Sequence, residues 1–193
     1  ETHNSSLNIY YEFDNKSNLS LSVNTQFLPY FKYLARGYTD IQSFTSSVNR
    51  IDSKSISRDN KFNMGIDLDY AYKFNDTSNI TANIHYTSYD YQRQQDVNSN
   101  YSDDNLIIVE QTAFNVRAEQ YTEIFTSQID YALNINEESV LNIGAKWSNV
   151  QTSSGILQND IINGDEILNA NNTNNFTYNE DVYAAYVDYK QNF

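Results

Sequence analysis

Residues Phe62 to Phe74 read FNMGIDLDYAYKF. The even positions, Phe62, Met64, Ile66, Leu68, Tyr70, Tyr72 and Phe74, are all large and apolar or aromatic. The odd positions, Asn63, Gly65, Asp67, Asp69, Ala71 and Lys73, are small or polar. Successive side chains of a strand point to opposite faces, so the stretch predicts one strand with an apolar face and a wet face. The run exceeds the ~9–11 residues that a transmembrane strand needs. It closes on a ladder of Tyr70, Tyr72 and Phe74, as an interfacial aromatic girdle would. An edge strand of a soluble sandwich alternates in the same way, so the neighbours have to decide.

The same pattern recurs on both sides. Leu7, Ile9, Tyr11 and Phe13 share one face of a first strand, and Leu19, Leu21 and Val23 one face of a second. After Phe74 come Ile80, Ala82, Ile84 and Tyr86, then Phe125, Ile129, Tyr131, Leu133 and Ile135, then Leu141, Ile143, Ala145 and Trp147. A last strand, from Tyr178 to Tyr189, offers Tyr183, Ala185, Val187 and Tyr189. Short polar turns, DNKS at 14–17, NDTS at 75–78 and NEES at 136–139, join alternate pairs. Long excursions of about 26–60, 88–123 and 152–175 join the others and are expected as loops, with Leu106 to Val109 a short strand inside the second.

The strand ends Phe13, Phe74 and Ile135 are 61 residues apart (74 − 13 and 135 − 74), and Phe193 follows 58 later. Short turns therefore fall at one end of the sheet and long loops at the other, the asymmetry of outer-membrane barrels. The expected fold is all-β, an antiparallel up-and-down meander of about seven strands. It would be part of a larger transmembrane β-barrel with short periplasmic turns and long extracellular loops. Seven strands leave two open edges, which lipid does not tolerate, so residues 1–193 are expected as a partial barrel domain without a plug, cut from a longer chain.

Composition narrows the alternatives. Mean hydropathy is negative and no run approaches 18 apolar residues, which excludes a helical membrane protein but not a barrel. A net charge of −13 argues against nucleic acid, whose phosphates need clustered Lys and Arg. The absence of cysteine removes disulfides and thiolate metal sites.

Ser127 to Tyr131 (SQIDY), the short turn after it, Leu141 to Ser148 (LNIGAKWS) and Phe176 to Tyr186 (FTYNEDVYAAY) resemble the barrel region of TonB-dependent outer-membrane receptors of Bacteroidetes. The resemblance implies a 22-stranded barrel filled by an N-terminal plug, importing a ligand with energy relayed by TonB. This sequence would then supply wall, girdle and extracellular segments of the transporter. Other readings are a barrel serving as structural anchor or adhesin, and a soluble extracellular β-sandwich that binds glycans or protein.

Candidate residues follow from these faces. Met64, Ile66, Leu68, Ile84, Ile129, Leu133 and Ile143 are expected to face lipid. Tyr11, Phe13, Tyr70, Tyr72, Phe74, Tyr131, Trp147 and Tyr189 are expected in aromatic girdles, with Trp147 and Tyr86 at the higher level. Tyr30, Phe31, Lys32, Tyr33 and Arg36 form a basic, aromatic candidate ligand loop, suited to an anionic or sugar-bearing ligand or to lipopolysaccharide headgroups. No catalytic set stands out: His3 and His85 are the only histidines, and His85 reads as a polar wall residue. Asp160, Asn163, Asp165 and Glu166 offer oxygen ligands without EF-hand spacing, so no metal site or cofactor is assigned. The expected partners are outer-membrane lipid and lipopolysaccharide, the remaining strands and plug of the same chain, TonB through that plug, and a surface lipoprotein. The expected location is the bacterial outer membrane, and the chain is not expected to be an enzyme.

Overall fold

A computed structural model describes residues 1–41 and 48–191. Phe44 of the first excursion and Phe193, the end point of the last 58-residue spacing, lie outside the described residues. The chain forms a single antiparallel sheet. Its strands are β1 (His3–Glu12), β2 (Ser17–Asp40), β3 (Arg50–Lys73), β4 (Ser78–Ser102), β5 (Ile108–Asn136), β6 (Ser139–Ile162), β7 (Asp165–Leu168) and β8 (Asn174–Gln191). Each strand from β1 to β7 pairs with the next, and β8 pairs with β6. The lower part of β6 takes β8 and its upper end takes β7, on the same edge. Eight strand segments thus fill seven places in the sheet.

The three long excursions are not loops. Most of 26–60, 88–123 and 152–175 continues the strands: β2 runs on to Asp40, β4 to Ser102 and β6 to Ile162. The pairing is what keeps them extended, because β3 and β4 stay in register from Arg50↔Ser102 down to Lys73↔Asn79. Polar side chains that read as loop are tolerated in a strand wetted on both faces. Of Leu106 to Val109, only Ile108 and Val109 are strand; Leu106 takes a positive φ in the turn after Asp103.

The three short turns are built alike. The side-chain oxygen of Asp14 accepts from the backbone N–H of Lys16 and Ser17, both at 2.8 Å. Asn75 accepts from the Thr77 N–H at 2.9 Å, and Asn136 from the Glu138 N–H at 3.0 Å. These Asx turns reverse the chain without glycine. A serine three residues on, Ser17, Ser78 or Ser139, is buried each time, so the 61-residue spacing seen in the sequence is a spacing of hydrogen-bonded turns.

The register also carries the tilt of the strands. Ser17 lies in the row of Tyr72, Ile80 and Tyr131. Ser78 lies one row lower, with Leu133 and Leu141, and Ser139 lower again, opposite Asn136. The turns therefore drift by two residues per hairpin. With ~3.4 Å per residue and ~4.8 Å between strands, that slope corresponds to about 35°, provided the turns share a plane. Barrel strands tilt by that amount.

No hydrophobic side chain is buried among the described residues. Leu7, Ile9, Ile84, Ile129 and Val187 are exposed on a one-layer sheet with nothing packed over it. The sandwich reading is not met, since it requires a second sheet over the apolar face.

Candidate ligand wall and apolar band

Directly opposed residues of an antiparallel pair share a face, so the pairings sort every side chain. Ile66 opposes Val23 and Tyr86, Leu68 opposes Leu21 and Ile84, and Met64 opposes Thr25 and Ser88. Ile129 lies between Ala82 and Ala145, Leu133 opposes Leu141, and Ile143 lies between Tyr131 and Val187. All seven positions expected to meet lipid are on one continuous face. The eight expected girdle residues are on it too. Tyr11, Phe13, Tyr70, Tyr72, Phe74, Tyr131 and Tyr189 lie toward the short turns, with edge-on contacts at 4.9 Å between Tyr11 and Phe13 and 5.0 Å between Tyr72 and Phe74.

Trp147 belongs to an upper level that sequence reasoning found only in part. Phe125 lies 5.3 Å from it and Tyr183 stacks on it at 6.4 Å, while Phe27 and Phe62 meet at 6.1 Å two strands away. Those four rings continue the apolar faces of their strands. On β5 the apolar face runs from Phe125 to Ile135, which at the tilt above spans about 28 Å, close to the ~25 Å height of an outer-membrane apolar band.

The opposite face is polar and bonded across strands. His85 Nδ1 lies 2.6 Å from Asp67, and Asn83 donates to Asp69 at 2.7 Å. Gly144 sits between Asp130 and Tyr186 in one row. A side chain there would collide with the Tyr186 ring, which crosses the glycine to hydrogen-bond Asp130 and, at 3.0 Å, Gln128.

Above the band this polar face gathers aromatic rings around an ion pair. Asp59, 4% exposed, accepts two hydrogen bonds from Arg93 at 2.9 and 3.0 Å, and Lys61 lies 4.0 Å away. The Arg93 guanidinium sits 5.5 Å from the Tyr91 ring centre and 5.9 Å from that of Tyr33, and Lys61 sits 5.0 Å from Tyr91. Tyr89 stacks on Tyr91 at 6.3 Å, and Phe31 leans on Tyr33 at 5.7 Å. The Arg93 hydrogen bonds hold the Asp59 carboxyl below the usual carboxylate range, and Asp59 in turn raises Arg93.

The candidate ligand loop is therefore a strand, and it is divided. A bulge between Leu28 and Phe31 shifts the register of β2 against β3, so odd positions face the polar side from Phe31 on. Phe31 and Tyr33 join the Asp59–Arg93 cluster. Lys32, opposite Arg58, and Arg36, opposite Lys54, are on the other face, with Tyr30 beside Arg58. Sequence reasoning missed Asp59, Lys61, Tyr89, Tyr91 and Arg93 because their contacts arise only from the β3–β4 register.

An outer membrane protein beta-barrel family matches residues 72–193. The chain belongs to that family. No curated protein matches the sequence significantly. As an outer-membrane barrel protein, it presents the apolar face, its two aromatic levels and the polar face in the arrangement that a bilayer-spanning wall requires.

The remaining candidates do not assemble into a reactive centre in this barrel wall. Among the described residues no three His, Asp or Glu groups converge as metal ligands. Asp165 and Glu166 are adjacent on β7 and point to opposite faces, and Glu166 accepts from Asn115 at 2.9 Å. Asn163 and Gly164, both at positive φ, form the tight turn between β6 and β7. The Asp103 side chain caps its own turn, accepting from the N–H groups of Asn105 and Ile107.

Proposed function

We propose that this barrel wall belongs to a TonB-dependent transporter of the Bacteroidetes kind, and that its polar face above the membrane helps to hold the imported ligand. The observation that carries the reading is the cluster of Tyr33, Tyr89, Tyr91, Lys61 and Arg93. Rings beside fixed cations suit a ligand with sugar rings or anionic groups, by stacking and by charge. Two features support a large barrel: among the described residues β1 and β8 each leave one edge unpaired, and lipid demands that further strands close them. TonB, a plug and the closing strands would come from outside this sequence. The apolar face then meets lipid through Met64, Ile66, Leu68, Ile84, Ile129, Leu133 and Ile143.

The test compares cells carrying the native full-length chain, its Tyr91→Ala/Arg93→Ala variant, and a strain lacking TonB, all in a defined medium. At equal surface levels of protein, one compound is expected to disappear at least tenfold more slowly in both altered strains. If every compound is depleted at the wild-type rate in both, transport is refuted. The anchor or adhesin reading, which the long paired hairpins favour, would then stand.

A further inference from the structure

The apolar face does not stay apolar above its aromatic rim. Four residues above Phe62, Lys32 stands directly opposite Arg58; four residues higher, Arg36 stands directly opposite Lys54. Between these rows lie Leu34 and Ile56, also directly opposed. These four, one third of the chain's 12 basic residues, share the outer face of two strands, and Arg50, paired with Asp40 at 2.7 Å, lies above them on it. Asp96 contacts Arg58 at 2.7 Å, while Asp52 and Asp90 border the patch and make no ion pair among the described residues. Lys32, Arg36 and Lys54 make no ion pair among the described residues. Like charges directly opposed across strands are destabilising, and here the arrangement occurs twice in a protein of net charge −13. An anion bound to the patch removes that repulsion.

We infer that the Lys32–Arg58 and Arg36–Lys54 pairs, with Leu34 and Ile56 between them, bind a phosphorylated glycolipid headgroup of the outer leaflet. Three features select this ligand. The patch is on the outer side of the wall, above the apolar band, and not on the interior face, so a transported ligand does not pass it. The cation rows are about 13 Å apart along the strands, a distance that a disaccharide phosphorylated at both ends can bridge. Two exposed or half-buried aliphatic side chains between them suit an amphiphile better than a bare ion. The inference rests on the membrane orientation of the wall and is independent of transport.

The experiment embeds the full-length chain in nanodiscs holding lipopolysaccharide, either intact or phosphatase-treated, and counts retained glycolipid by native mass spectrometry. The wild type is expected to retain the intact form at least tenfold better than the dephosphorylated form. Lys32→Gln/Arg36→Gln/Lys54→Gln/Arg58→Gln is expected to abolish that preference. Lys16→Gln/Lys146→Gln, altered away from the patch, is expected to keep it. Equal retention of the two glycolipids by the wild type overturns the inference even if the quadruple variant fails to fold. Equal losses in both variants overturn it as well, by reducing the effect to net charge. Inorganic polyphosphate that binds as well as intact lipopolysaccharide also overturns it, because Leu34 and Ile56 would then have no part. Loss of glycolipid with normal ligand uptake would separate this patch from the transport reading.

Discussion

Ile66 and Gly65 are chain neighbours on opposite faces, and arginine at each tests the membrane assignment directly. On β3 the apolar face runs from Phe62 to Phe74, which places Leu68 at its middle and Ile66 one row above. At the tilt of the strands that row is about 5 Å from the midplane. Arginine on the lipid face costs ~2–4 kcal/mol at the midplane and ~0–1 near the interfaces, so Ile66→Arg should lose roughly 2–3 kcal/mol. That is about a 30- to 150-fold shift in the folding equilibrium. At Gly65 an added Cβ meets only Thr87 Oγ1, at 4.0 Å, and the polar face accepts a charge. Gly65→Arg should therefore stay within about 1 kcal/mol of wild type, the range of substitutions that bury no charge. The assay is reversible denaturant unfolding of the full-length barrel in lipid vesicles. Wild-type stability for Ile66→Arg, or a larger loss for Gly65→Arg, would refute the assignment of faces.

Four further outcomes are expected. Gly144→Ala should destabilise by ~1–3 kcal/mol through overpacking against Tyr186. Most of that loss should vanish in a Tyr186→Ala background, as a double-mutant cycle would read. Asn75→Ala removes the acceptor of the Thr77 N–H and of the Thr77 and Ser78 hydroxyls and should cost ~1 kcal/mol, more than Asn136→Ala, measured as faster amide exchange in the affected turn. Asp59 is held below its ordinary pKa, so its pairing contributes fully above about pH 4 and is lost as pH falls through the lowered folded value. Hydrogen exchange at the tops of β3 and β4 should accelerate there, and Asp59→Asn should remove that pH dependence. Arg93→Ala leaves the buried Asp59 carboxylate with Lys61 alone as cation, 4.0 Å away, and should cost ~1.5–3 kcal/mol locally, seen as lower protection of β4 above Tyr89.

Much of the membrane-level fold was legible from alternation alone. FNMGIDLDYAYKF assigned two faces to β3, and its neighbours carried matching patterns that the pairings bring into register. The upper half was not legible because it lacks alternation. Where neither side meets hydrocarbon, SISRDN and YQRQQDVNSN pair as strands without any apolar face, and their composition is that of loops. One local signal was available and missed: IINGDEIL contains the Asn-Gly pair of a two-residue hairpin, and Asn163 and Gly164 make that turn. The ligand wall was harder. The parity change at Pro29 and Tyr30 decides which of Phe31, Lys32, Tyr33 and Arg36 share a face, and a bulge changes parity without a fixed residue signature.

The 61-residue spacing is a consequence of the same pairing. Asn49 donates to the Ser102 carbonyl, so the first hairpin reaches the row where β4 ends. The third reaches nearly as high, because Asp160 near its tip opposes Phe114, which opposes Val97 and so lies in the row of Ser55. Hairpins that start from one plane and end near one level must have similar contour lengths, and an identical turn adds the same increment each time. The even height has a mechanical result. Twelve residues of β3 above Phe62, about 33 Å at the strand tilt, are paired on both sides except Asn60 at the bulge, and cannot fold over the barrel mouth as single loops do. Tyr33, Asp59, Tyr91 and Arg93 are therefore fixed on a wall, and a ligand bound there meets preorganised rings and charges. On the proposed transport function, specificity would reside in the register of three strands, so a one-residue insertion in β3 between Arg58 and Phe62 should abolish ligand uptake even if the protein still reaches the membrane at wild-type levels.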